Sequence, residues 1–247
     1  MLVSLLVFES SDLKKTWAGF TQGYEKLSAE QSLPKHLQLQ PFGIELPGLG
    51  KVLAVGTTWA SDDHEQGREW IGRIAGLGTC LMNDPQPRSV AEYAEFNETL
   101  LTYGSYGRSY TFSIKKYTPK IAELLAKYTE SLPGGGIAIS MHALRTPTAS
   151  EASVFGSRVD HHVVELVAMT PRKDLEAAGA AWARALIAEA RESEPDNILP
   201  SSYVSLMGVD DSDHRKIYGP YYDTLVALKR KYDPDNVFRH AVPQLFT

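Results

Sequence analysis

A glutamate and a histidine on separate β-like runs offer the most concrete chemistry in this chain. In His161–Met169 (HHVVELVAM) side chains alternate between faces, so His161, Val163, Glu165 and Val167 share one side, opposite His162, Val164 and Leu166. A carboxylate flanked by Val163 and Val167 has a raised pKa if buried, which suits proton abstraction near neutrality. The same pattern also suits a solvated glutamate on an edge strand. His142 stands mid-run in AISMHALR with Ser140 and Leu144 on its face. Pairing of the two runs would bring it to Glu165 as an acid/base pair whose roles the surroundings set. A lone strand histidine equally suits a structural hydrogen bond.

The stretch TYGSYGRSYTF, residues 102–112, reads as a strand entered through glycines. Alternation puts Tyr106, Arg108 and Tyr110 on one face, a wall for an aromatic or polyketide-like ligand or, as the competing reading, half-buried edge-strand tyrosines. Its glycines make no phosphate loop, because neither GxxxxGK[ST] nor GxGxxG follows a strand. His161 and His162 point to opposite faces and cannot chelate one ion together, and the other histidines are scattered without HxH or HExxH spacing, so no metal site is expected.

These residues need a scaffold, and strand and helix signals alternate along the chain without a linker or repeat. One α+β domain over residues 1–247 is expected, a mostly antiparallel sheet with helices packed on one face. The β-like runs are 2–8, 35–42, 51–57, 106–114, 136–144 and 161–169. Ser10 or Ser11 would cap a first helix with the apolar face Leu13, Trp17, Phe20, Tyr24 and Leu27. Further helices are expected near 62–74, from Pro119, from Pro171, and around Tyr221, Leu225, Leu228 and Tyr232, the last stopping at Asp233-Pro234.

Composition bounds the partners. The chain has 247 residues, 43% apolar and 22% charged, with a formal charge of −5 from 25 basic and 30 acidic residues and no long block of either sign. Nucleic acid and membranes are not expected as partners; a small molecule is. A single cysteine, Cys80, excludes an internal disulfide, and the apolar opening MLVSLLVF reads as a buried strand rather than a signal segment, so a cytoplasmic location is expected.

The last thirty residues, YGPYYDTLVALKRKYDPDNVFRHAVPQLFT, resemble the C-terminal signature YGxxYxxLxxLKxKYDPxNxF of berberine-bridge-enzyme-like FAD-linked oxidases. The berberine-bridge-like segment covers about 200–243. In that family an N-terminal domain holds the FAD and a substrate domain closes over the flavin ring. The resemblance implies that this chain corresponds to the substrate domain, with FAD as the family's cofactor but not held by this chain alone. A flavin-domain polypeptide, or a homodimer, would then complete the site.

The resemblance also implies roles for individual residues. Glu165 falls where relatives place a Gln or Glu against the substrate. Phe155 and Arg158 match a Phe-Pro-His-Arg turn that leads into the substrate-facing strand, with Gly156 and Ser157 in place of its Pro and His. Tyr203, a third catalytic candidate, and Ser205, a substrate-binding one, match a Tyr-Val-Asn motif of the cavity, Ser205 replacing the asparagine. Asn236 belongs to the DPxNxF tail that packs toward the flavin, and Ala241-Val242 replaces the following Asn-Gln pair. The function implied is the substrate-binding half of an FAD-linked oxidoreductase acting on a small aromatic or polyketide-like metabolite. A cofactor-free isomerase, dehydratase or pericyclase, or a binding module without catalysis, is the alternative.

Overall fold

The computed structural model describes residues 1–100, 103–145, 159–200, 203–206, 214–240 and 245. In chain order the elements are β1 (Leu2–Phe8), α1 (Leu13–Glu30), β2 (Leu37–Leu46), β3 (Gly50–Trp59), α2 (His64–Ala75), β4 (Cys80–Met82), β5 (Gln86–Pro87), α3 (Val90–Leu100), β6 (Tyr106–Ile114), α4 (Pro119–Glu130), β7 (Ala138–Leu144), β8 (His161–Thr170), α5 (Glu176–Ser193), β9 (Ile198–Leu199), α6 (His214–Tyr218) and α7 (Tyr222–Tyr232). Every pairing among the described strands is antiparallel, and the order across the sheet is β4-β1-β3-β2-β7-β8-β6-β9, with β5 also on β1. The α+β expectation holds.

Strand periodicity separates two faces. One carries Leu2, Leu6, Leu53, Val55, Phe112, Ile114, Ile139, Met141, Val164 and Leu166, which join α1, α2, α4 and α5 in a single buried core. Helix α1 contributes Leu13, Trp17, Phe20 and Tyr24, as its spacing predicts, although its cap is Asp12, which accepts from Lys15 N at 3.0 Å. Ser10 is drawn off elsewhere: its hydroxyl donates to Phe8 O at 2.8 Å and accepts from Leu53 N at 3.1 Å. Thr118 caps α4 ahead of Pro119, and Asp63 caps α2.

The two halves of the sheet meet at β2 and β7, where the register holds only Phe42↔Ser140 and Gly43↔Ile139. Gly43 is required there, because a Cβ would collide with Thr129 Oγ1 of α4. Thr129 is fully buried; its hydroxyl donates to Leu125 O at 2.7 Å and accepts from Trp17 Nε1 at 3.2 Å, so one side chain ties α1 and α4 over the joint. Gly134, Gly135 and Gly136, all at positive φ, turn the chain from the end of α4 into β7.

The opposite face has only partial cover: Val7 and Ala54 are buried with Val52 in a second, small cluster, whereas Leu5 is 40% exposed. This face carries Val3, Leu5 and Val7 of β1, Gln40 and Phe42 of β2, Ala54 and Gly56 of β3, Ser140 and His142 of β7, Val163, Glu165 and Val167 of β8, and Ser109 of β6, as the pairings Leu5↔Gly56↔Gln40, Phe42↔Ser140↔Glu165 and Val167↔Ser109 require. Helix α3, which the sequence expectations omit, stands on this side: Tyr93 and Asn97 form a cleft with β1, β2 and β3. At the C-terminus α7 ends at Tyr232 before Asp233-Pro234 as expected, but none of its residues is buried among the described residues.

Candidate active face of the sheet

A line of polar side chains crosses four adjacent strands on the open face. From β2, Gln40 Nε2 donates to Ser140 Oγ of β7 at 2.9 Å. Ser140 Oγ lies 3.2 Å from His142 Nε2, and His142 Nε2 lies 3.2 Å from Glu165 Oε2 of β8. From β6, Ser109 Oγ donates to Glu165 Oε1 at 2.7 Å. The expected meeting of His142 and Glu165 thus occurs, through the β7–β8 register that sets His142 opposite Val163 and Ser140 opposite Glu165. Neither is solvated freely: the Glu165 side chain is 14% exposed and that of His142 31%.

The electrostatics depart from the sequence expectation. Burial pushes the Glu165 pKa up, as anticipated, but hydrogen bonds from His142 and Ser109 and the nearby His142 charge outweigh it, so the carboxyl titrates below its ordinary 4.5. An ionised carboxylate only accepts, so the nitrogen facing it, His142 Nε2, carries a proton and donates. Both Ser140 and Glu165 approach that same nitrogen, which excludes a nucleophilic triad, where serine and carboxylate take opposite nitrogens of the ring. The arrangement suits a held base, not an activated serine.

Beside this line lies a cleft of about 420 Å³. Leu5, Phe42, Ile44, Met82 and Tyr93 give it hydrocarbon walls, and Gln40 stands at its border with the polar line. Gly56 leaves room for the Phe42 ring: a Cβ there would sit 3.3 Å from Phe42 Cε2.

The other sequence candidates are placed elsewhere. Tyr106, Arg108 and Tyr110 do share a face, but it is the helix-covered one, since Tyr110 pairs with Leu166 and Arg108 with Ala168 while Ser109 and Thr111 pair with Val167 and Glu165. Tyr110 is buried with the guanidinium carbons of Arg108 and Arg184 4.1 and 5.5 Å from its ring centre, and Lys173 lies 5.8 Å from the Tyr106 ring. These three therefore do not wall the face that carries Glu165. Tyr203 and Ser205 are exposed around a short turn, and no hydrogen bond or ring contact joins Tyr203 to Glu165 or His142 among the described residues. Asn236 is exposed at φ 51°, its N–H donating to Asp233 O at 3.1 Å, so the turn after α7 accounts for it. Phe155 and Arg158 lie outside the described residues. Sequence reading passed over Ser109 and Gln40; the alternation that groups Arg108 with Tyr110 also turns Ser109 the other way.

Comparison with known proteins agrees with this frame. The family model for berberine and berberine-like proteins matches residues 202–243. An FAD-linked oxidoreductase, aurO of Gibberella zeae, is 28% identical over 195 residues, 78% of this chain but 38% of its own length. Among solved structures, GilR, an oxidoreductase that catalyses the terminal step of gilvocarcin biosynthesis, superposes with a TM-score of 0.74 at 13% identity over 95% of this chain and 54% of its own. CrmK, a flavoenzyme of caerulomycin biosynthesis, gives 0.72 at 15% over 97% and 54%, and 6-hydroxy-D-nicotine oxidase from Arthrobacter nicotinovorans gives 0.72 at 17% over 96% and 52%. The chain thus shares its fold with these flavoenzymes and oxidases and spans about half the length of the solved structures it matches.

The described residues do not fit a dinucleotide. Phosphates are held where a glycine-rich turn runs from a strand into a helix N-terminus. The strand-to-helix turns at 9–12, 60–63, 88–89, 115–118 and 171–175 contain no glycine, and the glycines at positive φ sit in other connections. What these residues offer a flavin is a sheet face, not a cradle. Among them there is also no cluster of His, Cys, Asp and Glu that could hold a metal ion, and no helix is long and apolar enough to cross a membrane.

Proposed function

We propose that the open sheet face binds a small, planar aromatic or polyketide-like metabolite and that Glu165 takes a proton from it. The observation that carries this reading is the grouping of Ser109, His142 and Glu165, a carboxylate held ionised by two donors on a face otherwise lined by Val163, Val167 and neighbouring apolar residues. A base kept ionised at every pH near neutrality is always ready to accept, and burial sharpens its orientation. His142 donates to the carboxylate and steadies it; Ser109 fixes the second oxygen. The adjoining cleft, at about 420 Å³, lies in the size range of small-molecule sites.

A flavin brought to this face would supply hydride acceptance, and this chain's share would be to seat the substrate, exclude water from its sheet-facing side and receive the proton at Glu165. We assign the flavin itself to a flavin-bearing polypeptide that closes over the open face, because the described turns offer its phosphates no cradle.

An NMR titration of the methyl-labelled chain with 1,3-dihydroxynaphthalene tests where such a ligand sits. The Val3, Leu5 and Val163 methyls of the open face should shift while those of Leu6, Leu53 and Leu166 in the core stay put. Shifts confined to the helix side, or none at millimolar ligand, would contradict the reading.

A further inference from the structure

Gln40 sits where the polar line meets the apolar cleft, and its hydrogen bonding is incomplete. The side chain is half-buried on the open face of β2, opposite Gly56 and next but one to Phe42. One amide N–H donates to Ser140 Oγ at 2.9 Å, and among the described residues the amide makes no other hydrogen bond. A primary amide has two donors and an oxygen with two lone pairs, so one N–H and the carbonyl are left beside a space that Leu5, Phe42 and Ile44 help to line. Polar atoms in such surroundings are costly until something matches them.

The bond to Ser140 also fixes which way those atoms face. Ser140 is 2% exposed, and its Oγ accepts from the Gln40 amide at 2.9 Å and lies 3.2 Å from His142 Nε2. Turning the amide away would forfeit its bond to Ser140 and leave that buried oxygen short of a donor. Gln40 is thereby preorganised, with one N–H and the carbonyl left open, three polar contacts from Glu165 along the line through Ser140 and His142.

The floor of the cleft completes the pattern. Gly56 carries no side chain, and Phe42 lies beside it with its ring edge within contact of where a Cβ would be, which leaves a flat shelf in the register row Leu5, Gly56, Gln40. Tyr93 of α3 stands on the same cleft. A flat shelf with aromatic neighbours favours a planar ring, and a paired donor and acceptor at its border favours a ring edge with the complementary pair, in the way that glutamine reads the donor–acceptor edge of adenine.

We infer that Gln40 is the specificity-determining residue of this cleft and that its ligands are planar, fused aromatic rings bearing an N–H or O–H donor beside a carbonyl, that is, lactams or hydroxyketones. This rests on the proposed use of the open face as the binding site. Glu165 acts on the ligand, whereas Gln40 selects it.

Isothermal titration with 2-quinolone and quinoline separates the two ideas. Both are flat bicycles of the same size, and 2-quinolone alone has the donor beside a carbonyl. The full chain should bind 2-quinolone at least about tenfold more tightly than quinoline, in keeping with one well-made bidentate pair, and Gln40→Met should abolish the preference, so that the two ligands bind the variant alike. Equal binding of the two by the unaltered chain would overturn the role of Gln40 and leave the cleft standing as a site. Binding of neither would overturn both. Because the first comparison uses the unaltered chain, it stands even if Gln40→Met folds poorly.

Discussion

Glu165 is a buried carboxylate that stays ionised because its partners win over its burial. Removing either donor tips that balance back: Ser109→Ala and His142→Ala should each raise the Glu165 pKa, and the pair together more than either, as read by the titration of its side-chain carbon in 13C NMR. If neither substitution moves the titration, the hydrogen bonds do not hold the charge. Sequence alternation makes the Glu165 side of β8 legible and puts Ser140 with His142, but burial does not by itself decide the pKa. The donors that decide it come from β6 and β7, and no spacing within β8 could reveal them. The same limit explains the tyrosine strand. Alternation correctly grouped Tyr106, Arg108 and Tyr110, yet which face looks toward the helices is a property of the whole sheet, settled by the pairing of Tyr110 with Leu166.

At the scale of elements, the site stands on a narrow joint. Only two register pairs bind β2 to β7, and Ser140 in one of them belongs to the polar line, so the packing that holds the joint also places His142. Gly43→Ala would drive a methyl into Thr129 Oγ1 and loosen α4 from the sheet; overpacking of this kind costs about 1–3 kcal/mol. Urea denaturation should register that loss, and an unchanged midpoint would mean that the joint yields freely. Most elements were legible: β6 matches its expected range, α4 starts at Pro119, and the buried face of α1 follows its spacing. Helix α3 was legible in principle, since Val90, Tyr93, Phe96 and Leu100 fall at spacings of three, three and four, whereas β4 and β5 are too short for periodicity to register. Asp12 rather than Ser10 or Ser11 caps α1, because Ser10 serves the sheet instead, binding Phe8 O and Leu53 N.

Across the whole molecule, acid should weaken the fold through two groups acting in the same direction. Burial first, and neighbouring His161 second, lower the His162 pKa from 6.5 to about 4, within a ring cluster in which Tyr117 lies 4.4 Å and Tyr24 5.5 Å away. Between those two values the unfolded chain binds a proton at this position that the folded chain refuses. Stability is therefore unaffected by His162 above pH 6.5 and falls as pH drops toward 4, by roughly 3 kcal/mol if the full shift is realised. Glu165 adds to the loss at lower pH: its folded pKa is depressed, so its contribution is present above the unfolded value of 4.5 and disappears as the folded carboxylate is protonated. His162→Phe should flatten the slope between pH 6.5 and 4.5 in denaturation curves; an equally steep slope would place the acid sensitivity elsewhere.

The molecule as a whole presents one helix-covered and one more open sheet face, and the proposed function belongs to the open one. A purified chain given FAD and freed of excess should keep no visible flavin bands, in line with glycine-free strand-to-helix turns, and retained bands would show that it holds the cofactor unaided. The most direct test concerns the proton. In D2O the ring C–H positions of 1,3-dihydroxynaphthalene exchange through its keto tautomer, and a general base aligned with the bound ring speeds that exchange typically by about a hundredfold or more. The unaltered chain should accelerate deuterium uptake and Glu165→Gln should return it to the rate in buffer. Uptake that is equally fast with both, or no faster than buffer with either, would contradict the assignment of Glu165 as the base of this face.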